Sequence, residues 1–322
     1  MWQLRLPLPY PATSRVNAYL LEQPDGFCLV DCGSSLEPGW RALEHALALA
    51  GIEAGDLTLL VTTHGHNDHA GLASAVLERT GCEYARLDAP HTMSELPRDL
   101  TVPRQARLRA ASEQGLPPEL LTVWTETHVA GDGKHLVAQP HRLLSVGEGL
   151  PSVVGDWTVH AAPGHNASQL MLFNGRRGWL LSADLVLRTD TPFVEWGHTP
   201  DPFADHLSSL LAARALEPSL LLPGHGRPVL GVEDQLTYAL AAAEASRERI
   251  LGLLSYEPQT PYELSSRLVG ERADLDRRQS AFSVVLAVVD HLERAGAVAS
   301  VAGADGLRRV VAKSCPRQVL DQ

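Results

Sequence analysis

The chain is poor in cysteine. Four cysteines, Cys28, Cys32, Cys82 and Cys315, are scattered over 322 residues. That is too sparse for a disulfide framework in a chain of this size. Cys28 and Cys32 stand in the strand-like stretch FCLVDCG, where a thiol behaves as a small buried apolar side chain. No run approaches the roughly eighteen consecutive apolar residues that a membrane-spanning helix needs. The opening MWQLRLPLPYPATSR lacks a basic start followed by a long apolar core, and proline interrupts it. We therefore expect no signal peptide and a reduced, cytoplasmic setting. Positive charge is also scarce: 27 Lys+Arg face 38 Asp+Glu, a formal net charge of −11. Such a surface repels phosphate backbones unless a local basic patch overrides it. Nucleic acid and membrane are thus set aside as main partners. Internal repeats and low-complexity tracts are absent as well.

What is present is an alternation of short apolar runs and helical patterns. Strands are expected at Trp2–Leu8, Val16–Leu21, Phe27–Asp31, Leu57–Thr62, Trp157–Ala161, Gln169–Phe173, Trp179–Ser182 and Ser219–Leu222. Val, Leu and aromatics dominate them, and Gly, Pro or Asp bound them. Helices are expected at Leu36–Ala50, His69–Thr80 and Phe203–Leu216, with apolar residues at spacing three and four. This order predicts an α/β fold with helices covering sheet faces. Residues 87–149 are rich in Pro, Arg and Leu and read as a helical insertion, with helices at Pro103–Gln114 and Pro117–Thr127. Such insertions commonly form a lid or pocket wall. After PGHGRPVLG the texture changes. A long helix from Val232, a second helix opened by Thr260 with Glu263 three residues on, a third from about Arg277 and a hairpin around AGADG make a winged-helix pattern. We place a catalytic domain at 1–231 and a winged-helix-like domain at 232–322.

The stretch THGHNDHAG, residues 63–71, crowds His64, His66, Asp68 and His69 into six positions. One buried histidine is commonly a satisfied core residue. Four ligand-type side chains in one small volume would all need partners. The segment follows an apolar strand and precedes a helix, so it lies at a strand's carboxyl end, where ligands collect in open α/β sheets. Three other strands end in the same way: at His165 after Pro163-Gly164, at Asp184, and at His225 after Pro223-Gly224. Together these make a seven-ligand set.

These motifs resemble the metallo-β-lactamase fold superfamily. The H-x-H-x-D-H signature stands as His64-Gly-His66-Asn-Asp68-His69, and the later His, Asp and His follow in the family's order over roughly residues 1–230. The resemblance implies an αβ/βα sandwich, two packed sheets with helices outside. It assigns His64, His66 and His165 to one metal and Asp68, His69 and His225 to a second. Asp184 bridges the two, and Asp31 in LVDCG braces the loop from behind the ligands. Mixed imidazole and carboxylate donors suit zinc, two per chain, with iron or manganese as alternatives. A pair of such cations makes a hydroxide nucleophile available at neutral pH and stabilises charge on a carbonyl or phosphoryl oxygen. Asp68 would take up the proton.

The substrate is less determined. β-Lactamases often carry arginine or cysteine among the second metal's ligands, where this chain has His69 and Asp184. Homoserine-lactone lactonases place a tyrosine shortly after the bridging aspartate, and LVLRTDTPFVEWGHTPDP has none. The glutathione-binding cluster of glyoxalase II is not recognisable, although the ligand set is shared. Catalytic domain, insertion and winged helix together resemble bacterial hydrolases grouped with hydroxyacylglutathione hydrolases, and also lactamase-like endoribonucleases. Residues 232–322 carry 11 Lys+Arg against 13 Asp+Glu. That balance suits packing or homodimerisation better than nucleic-acid binding. We expect a dinuclear hydrolase acting on a small ester or thioester, with Phe193, Trp196 and Trp124 lining an apolar pocket. The alternatives are an endoribonuclease, a non-catalytic DNA-binding or ligand-sensing protein, and a one-iron oxygenase of the persulfide type.

Overall fold

The computed structural model describes residues 1–9, 14–89, 108–125, 138–187, 193–254, 257–270 and 272–313, without the side chains of 122–125 and 276. Two sheets form its centre. Strands β1 (Trp2–Pro7), β2 (Arg15–Gln23) and β3 (Gly26–Val30) run antiparallel to one another. Parallel to β3 follow β4 (Leu57–Val61), β5 (Glu83–Leu87) and β6 (Arg142–Leu144), giving the order β1-β2-β3-β4-β5-β6. The second sheet holds β7 (Gly149–Leu150), β8 (Trp157–Ala161), β9 (Leu170–Asn174), β10 (Trp179–Ala183) and β11 (Leu220–Pro223), in the order β11-β10-β9-β8-β7.

Period-two alternation explains the layering. On β2, Tyr19 and Leu21 join Val30, Val61 and Leu87 against Trp157, Val159 and Leu172 of the second sheet, so this core lies between the sheets. The alternate residues Val16, Ala18 and Leu20 face outward and pack on Leu43 and Leu47 of helix α1 (Gly39–Leu49) and on Val76 of helix α3 (Ala73–Thr80). The outer face of the second sheet, with Met171, Leu180 and Leu221, is covered by α5 (Pro202–Ala215) and by the first half of α6 (Val232–Leu253). This is the expected sandwich. Among the described residues no helix is long and apolar enough to cross a membrane.

Two expectations need correction. The helix expected at 69–80 is two helices, α2 (Asn67–Ala70) and α3. The loop after β3 captures groups that a continuous helix would use internally: Cys32 N–H donates to the His69 carbonyl, and Leu72 N–H donates to the Gly33 carbonyl. Asn67 is held by the hydroxyls of Ser34 and Ser35 at 2.7 Å each. The segment 87–149 is also shorter as an insertion than expected. It contains β6 and β7, edge strands of three and two residues, too short for alternation to show. Within it, 108–113 is helical and α4 spans Pro118–Thr125, while the start of the expected 103–114 helix lies outside the described residues.

Beyond α6 come α7 (Pro261–Val269), α8 (Leu275–Arg294) and the hairpin β12 (Val298–Ala302) and β13 (Arg308–Ala312). Thr260 caps α7, its hydroxyl accepting from Glu263 N–H at 3.2 Å while the Glu263 carboxylate accepts from Thr260 N–H at 2.7 Å. Helix α8 is buried on most sides, with Phe282, Val285, Leu286, Ala287, Val288 and Val289 each 1% exposed or less. Its core takes in Val194 and Phe203 from before residue 232. A second cluster joins Phe282 and Leu286 to Ala111 and Leu116 of the insertion. We expect Phe282→Ala to lower stability by about 3–5 kcal/mol through the cavity it leaves. Chemical denaturation measures this, and a loss below about 1 kcal/mol would contradict the packing described.

Candidate metal centre

The carboxyl ends of strands from both sheets meet at one edge, and each presents a ligand-type residue. Strand β3 ends into Asp31, β4 into Thr62–His66, β8 into Pro163–His165, β10 into Asp184 and β11 into Gly224–His225. Asp31 has φ 62° and Ala183, just before Asp184, has φ 47°. Left-handed backbone at non-glycine residues costs about 1–3 kcal/mol each and clusters at functional sites.

The seven residues expected from the sequence come together. Three groups of donor atoms, each within 4.8 Å of one another, combine His64, His66 and His165; His64, His69 and Asp184; and Asp68, His69 and His225. In the first group, His66 Nδ1 lies 3.0 Å from both His64 Nε2 and His165 Nε2. The Asp184 carboxylate oxygen Oδ2 is 3.4 Å from His69 Nε2, 3.5 Å from His165 Nε2 and 3.3 Å from His225 Nε2. Asp68 Oδ2 is 3.3 Å from His225 Nε2 and 3.7 Å from His69 Nε2. Asp184 therefore lies against His165 of the first group as well as His69 and His225 of the third, and Asp68 against His69 and His225 alone.

The outward ring nitrogens explain which way the lone pairs face. His69 Nδ1 donates to Asp31 Oδ2 at 2.8 Å, His165 Nδ1 to the Phe193 carbonyl at 2.8 Å and His225 Nδ1 to the Arg15 carbonyl at 2.8 Å. Thr63 gives its hydroxyl proton to Asp31 at 2.9 Å, so its oxygen can accept from His64 Nδ1 at 3.0 Å. With a proton fixed outside on each of these rings, Nε2 carries a bare lone pair inside. Asp31 also accepts the Thr63 N–H at 2.7 Å. One carboxylate thus orients a ring and pins the loop, as expected of it.

Electrostatics agree with a cation-binding role. Burial, reinforced by neighbouring imidazoles, holds His64 well below the usual histidine range, and burial lowers His165 too. Both therefore favour the neutral form that can ligate. At His69 and His225 burial opposes protonation, but the carboxylates outweigh it, raising His69 well above its ordinary value and pushing His225 up to about 10. Without a cation, those protons supply positive charge beside the Asp68 and Asp184 carboxylates. His69 Nε2 and Asp184 Oδ1 are buried with no hydrogen-bond partner, an exceptional state for such atoms. Divalent cations fit this donor set: they would neutralise the carboxylates, satisfy both atoms left without a partner among the described residues and occupy the space between ring nitrogens crowded to 3.0 Å.

The pocket residues divide. The Phe193 ring lies 6.1 Å from the His165 ring at 80°, beside the cluster. Trp196 is placed elsewhere: its indole N–H donates to Asp290 of α8 at 2.7 Å, and its ring packs on the cluster containing Phe282. That contact makes it packing between loop and helix rather than cavity wall. The Trp124 side chain lies outside the described residues. Sequence reasoning passed over Thr63, Asn166 and Glu195. Thr63 was legible as the residue before the first ligand. Glu195 carried no signal, being one acid in a loop of ordinary polarity.

A family model described as "Metallo-beta-lactamase superfamily" matches residues 12–225. The chain belongs to this superfamily. It is similar to "Probable metallo-hydrolase YqjP" of Bacillus subtilis (strain 168), 25% identical over 280 residues, which cover 82% of this chain and 83% of that one. "Probable metallo-hydrolase YflN" of the same organism is 25% identical over 233 residues, 67% of this chain and 82% of that one. Among solved structures, metallo-beta-lactamase family protein TTHA1429 from Thermus thermophilus superposes with a TM-score of 0.81 at 25% identity, covering 97% of this chain and 98% of that one. A beta-lactamase domain protein from Burkholderia ambifaria shares the fold, with a TM-score of 0.78 at 24% identity over 96% and 91% of the two chains. The likeness to both structures therefore extends beyond residue 225 into the C-terminal helices.

Gly224 provides a direct test of the geometry. A Cβ there would lie 2.1 Å from Asp184 Oδ1 and 2.8 Å from His69 Cε1. We expect Gly224→Ala to push Asp184 out of place and to lower bound metal per chain, measured by elemental analysis, while far-UV circular dichroism stays unchanged. Wild-type metal content in a folded Gly224→Ala protein would contradict the placement of Asp184.

Proposed function

We propose that the protein is a metal-dependent hydrolase that holds two divalent cations, zinc by preference, and cleaves a small ester or thioester. One observation carries the reading: imidazole and carboxylate donors from four separate loops converge in three overlapping groups, each within 4.8 Å, and Asp184 lies against both His165 and His225. Cations bound there supply a Lewis acid for the scissile carbonyl and bring the pKa of a water toward neutrality. His64, His66 and His165 would hold one cation, and Asp68, His69 and His225 the other. Asp184, with a side chain 6% exposed and an oxygen near His165, His69 and His225, would serve both. Asp68 differs, with 19% of its side chain exposed. Its carboxylate could therefore accept a proton from an attacking water, which the more buried Asp184 could not. The Phe193 ring beside His165 offers apolar surface to an acyl group. The names of YqjP and YflN support hydrolysis as the reaction class.

The C-terminal region bears on the substrate. We read residues 232–322 as a winged-helix-like domain, supported by three helices and a hairpin in that order. In a nucleic-acid reader of this layout the third helix enters the groove. Here α8 buries Val285–Val289 in a continuous run. Three polar residues of its C-terminal half are engaged as well, Asp290 with Trp196 and Arg308, Glu293 with Arg308, and His291 with Asp201. A helix so occupied favours a packing role and a small-molecule substrate over RNA or DNA.

A panel of thioesters, esters, lactones, phosphodiesters and RNA tests the reading, with His66→Ala as control. We expect turnover of esters or thioesters, lost on chelation and reduced more than about a hundredfold in His66→Ala. RNA cleavage without ester or thioester turnover would overturn the substrate class. Undiminished activity in a His66→Ala protein stripped of metal would overturn the site.

A further inference from the structure

Four of the five cluster histidines have an outward nitrogen within 3.0 Å of a fixed acceptor: a threonine hydroxyl, the Asp31 carboxylate or a backbone carbonyl. His66 is arranged differently. Its inward atom is Nδ1, and its outward Nε2 faces the Glu195 carboxylate at 3.9 Å, an ion-pair distance. Glu195 lies outside the seven-ligand set, yet its side chain is 1% exposed. A carboxylate so buried is costly unless strongly engaged. Asn166, one residue after His165, donates to its Oε2 at 2.7 Å, His198 Nε2 lies 3.3 Å from its Oε1, and its own N–H donates to the Gly164 carbonyl at 3.1 Å.

The segment carrying Glu195 is fastened on its other side to α8. The Ser283 hydroxyl donates to the Val194 carbonyl at 2.9 Å and accepts the Trp196 N–H at 3.2 Å. The Trp196 indole donates to Asp290 at 2.7 Å, and Asp290 is in turn held by Arg308 of β13 at 2.8 Å. Arg294 donates to the Pro200 carbonyl at 2.9 Å, and His291 pairs with Asp201 at 3.0 Å. Segment 193–201 thus has one side against the histidine cluster and the other on the C-terminal helix. We infer that Glu195 is a positioning residue for His66, and that α8 holds it in place through this segment. The C-terminal region is then a structural part of the metal centre rather than a module with its own ligand. The inference rests on the reading that His64, His66 and His165 hold a cation. Partners that orient a ligating imidazole in this way are worth about 10- to 100-fold in metal affinity.

Full-length wild type, Glu195→Gln and Ser283→Ala are loaded with zinc or cobalt(II) and dialysed against graded EDTA. Metal per chain is counted, the cobalt visible spectrum recorded and the melting temperature measured. Glu195→Gln keeps an oxygen for Asn166 but removes the charge facing His66. We expect the EDTA concentration that strips the first metal equivalent to fall about 10- to 100-fold, with the second equivalent unmoved and the spectrum changed only for the first. Ser283→Ala should shift the same equivalent in the same direction, by less. Wild-type retention in a folded Glu195→Gln protein overturns the role of Glu195. So does equal loss of both equivalents in step with the melting temperature, since a merely structural role predicts that. An unmoved Ser283→Ala overturns the role of α8. Should Glu195→Gln fail to fold, Glu195→Asp gives the same contrast, because its shorter acid reaches His66 less well. A wild type that binds no metal sinks the metal reading itself, a result distinct from identical metal retention in wild type and variants.

Discussion

Imidazole nitrogens crowded to 3.0 Å of one another, beside two carboxylates, are the constraint on which the rest of this protein depends. Bare imidazole nitrogens and carboxylate oxygens repel when buried together, and burial removes the water that would screen them. Only cations or protons make the arrangement tolerable. The fold must therefore hold these groups in place against their own repulsion. It does so with outward hydrogen bonds on four of the five rings and the Glu195 carboxylate facing the fifth.

Asp31 shows how local strain and long-range order are tied. Its backbone at φ 62° is unfavourable for a residue with a side chain. The cost, about 1–3 kcal/mol, is offset by its bonds to Thr63 N–H, the Thr63 hydroxyl and His69 Nδ1, all within 2.9 Å. Charge-assisted bonds of this kind contribute about 1.5–3 kcal/mol each. The strained turn at the end of β3 and the histidine loop therefore stabilise each other through Asp31. Gly224 adds a steric condition, since the backbone after β11 approaches Asp184 too closely for any side chain.

The C-terminal helices extend the same logic. Helix α6 serves two cores: Leu236 packs on the second sheet, while Ile250 packs with α8. Helix α8 then meets the segment 193–201, which reaches the histidines. What resembles an attached module is continuous with the catalytic half through apolar packing and hydrogen bonds.

Much of this was legible in the chain. Three histidines and an aspartate in six positions after an apolar strand left little room for a structural reading. Strand endings at His165, Asp184 and His225 repeated the pattern, and apolar runs bounded by Gly, Pro or Asp announced the strands. These signals are local: a side chain's chemistry, a period, a turn before a ligand. The break between α2 and α3, the strand β6, the diversion of Trp196 to Asp290 and the approach of Glu195 to His66 are not local. Each depends on a partner tens of residues away, and Asp290 is 94 positions from Trp196. Residue types and their spacing were enough to determine which atoms could bind a cation and along which strands they would be carried. Which nitrogen of each ring faces inward, and what stands behind it, was decided only when the sheets packed, because hydrogen bonds between distant segments have no counterpart in the order of residues along the chain.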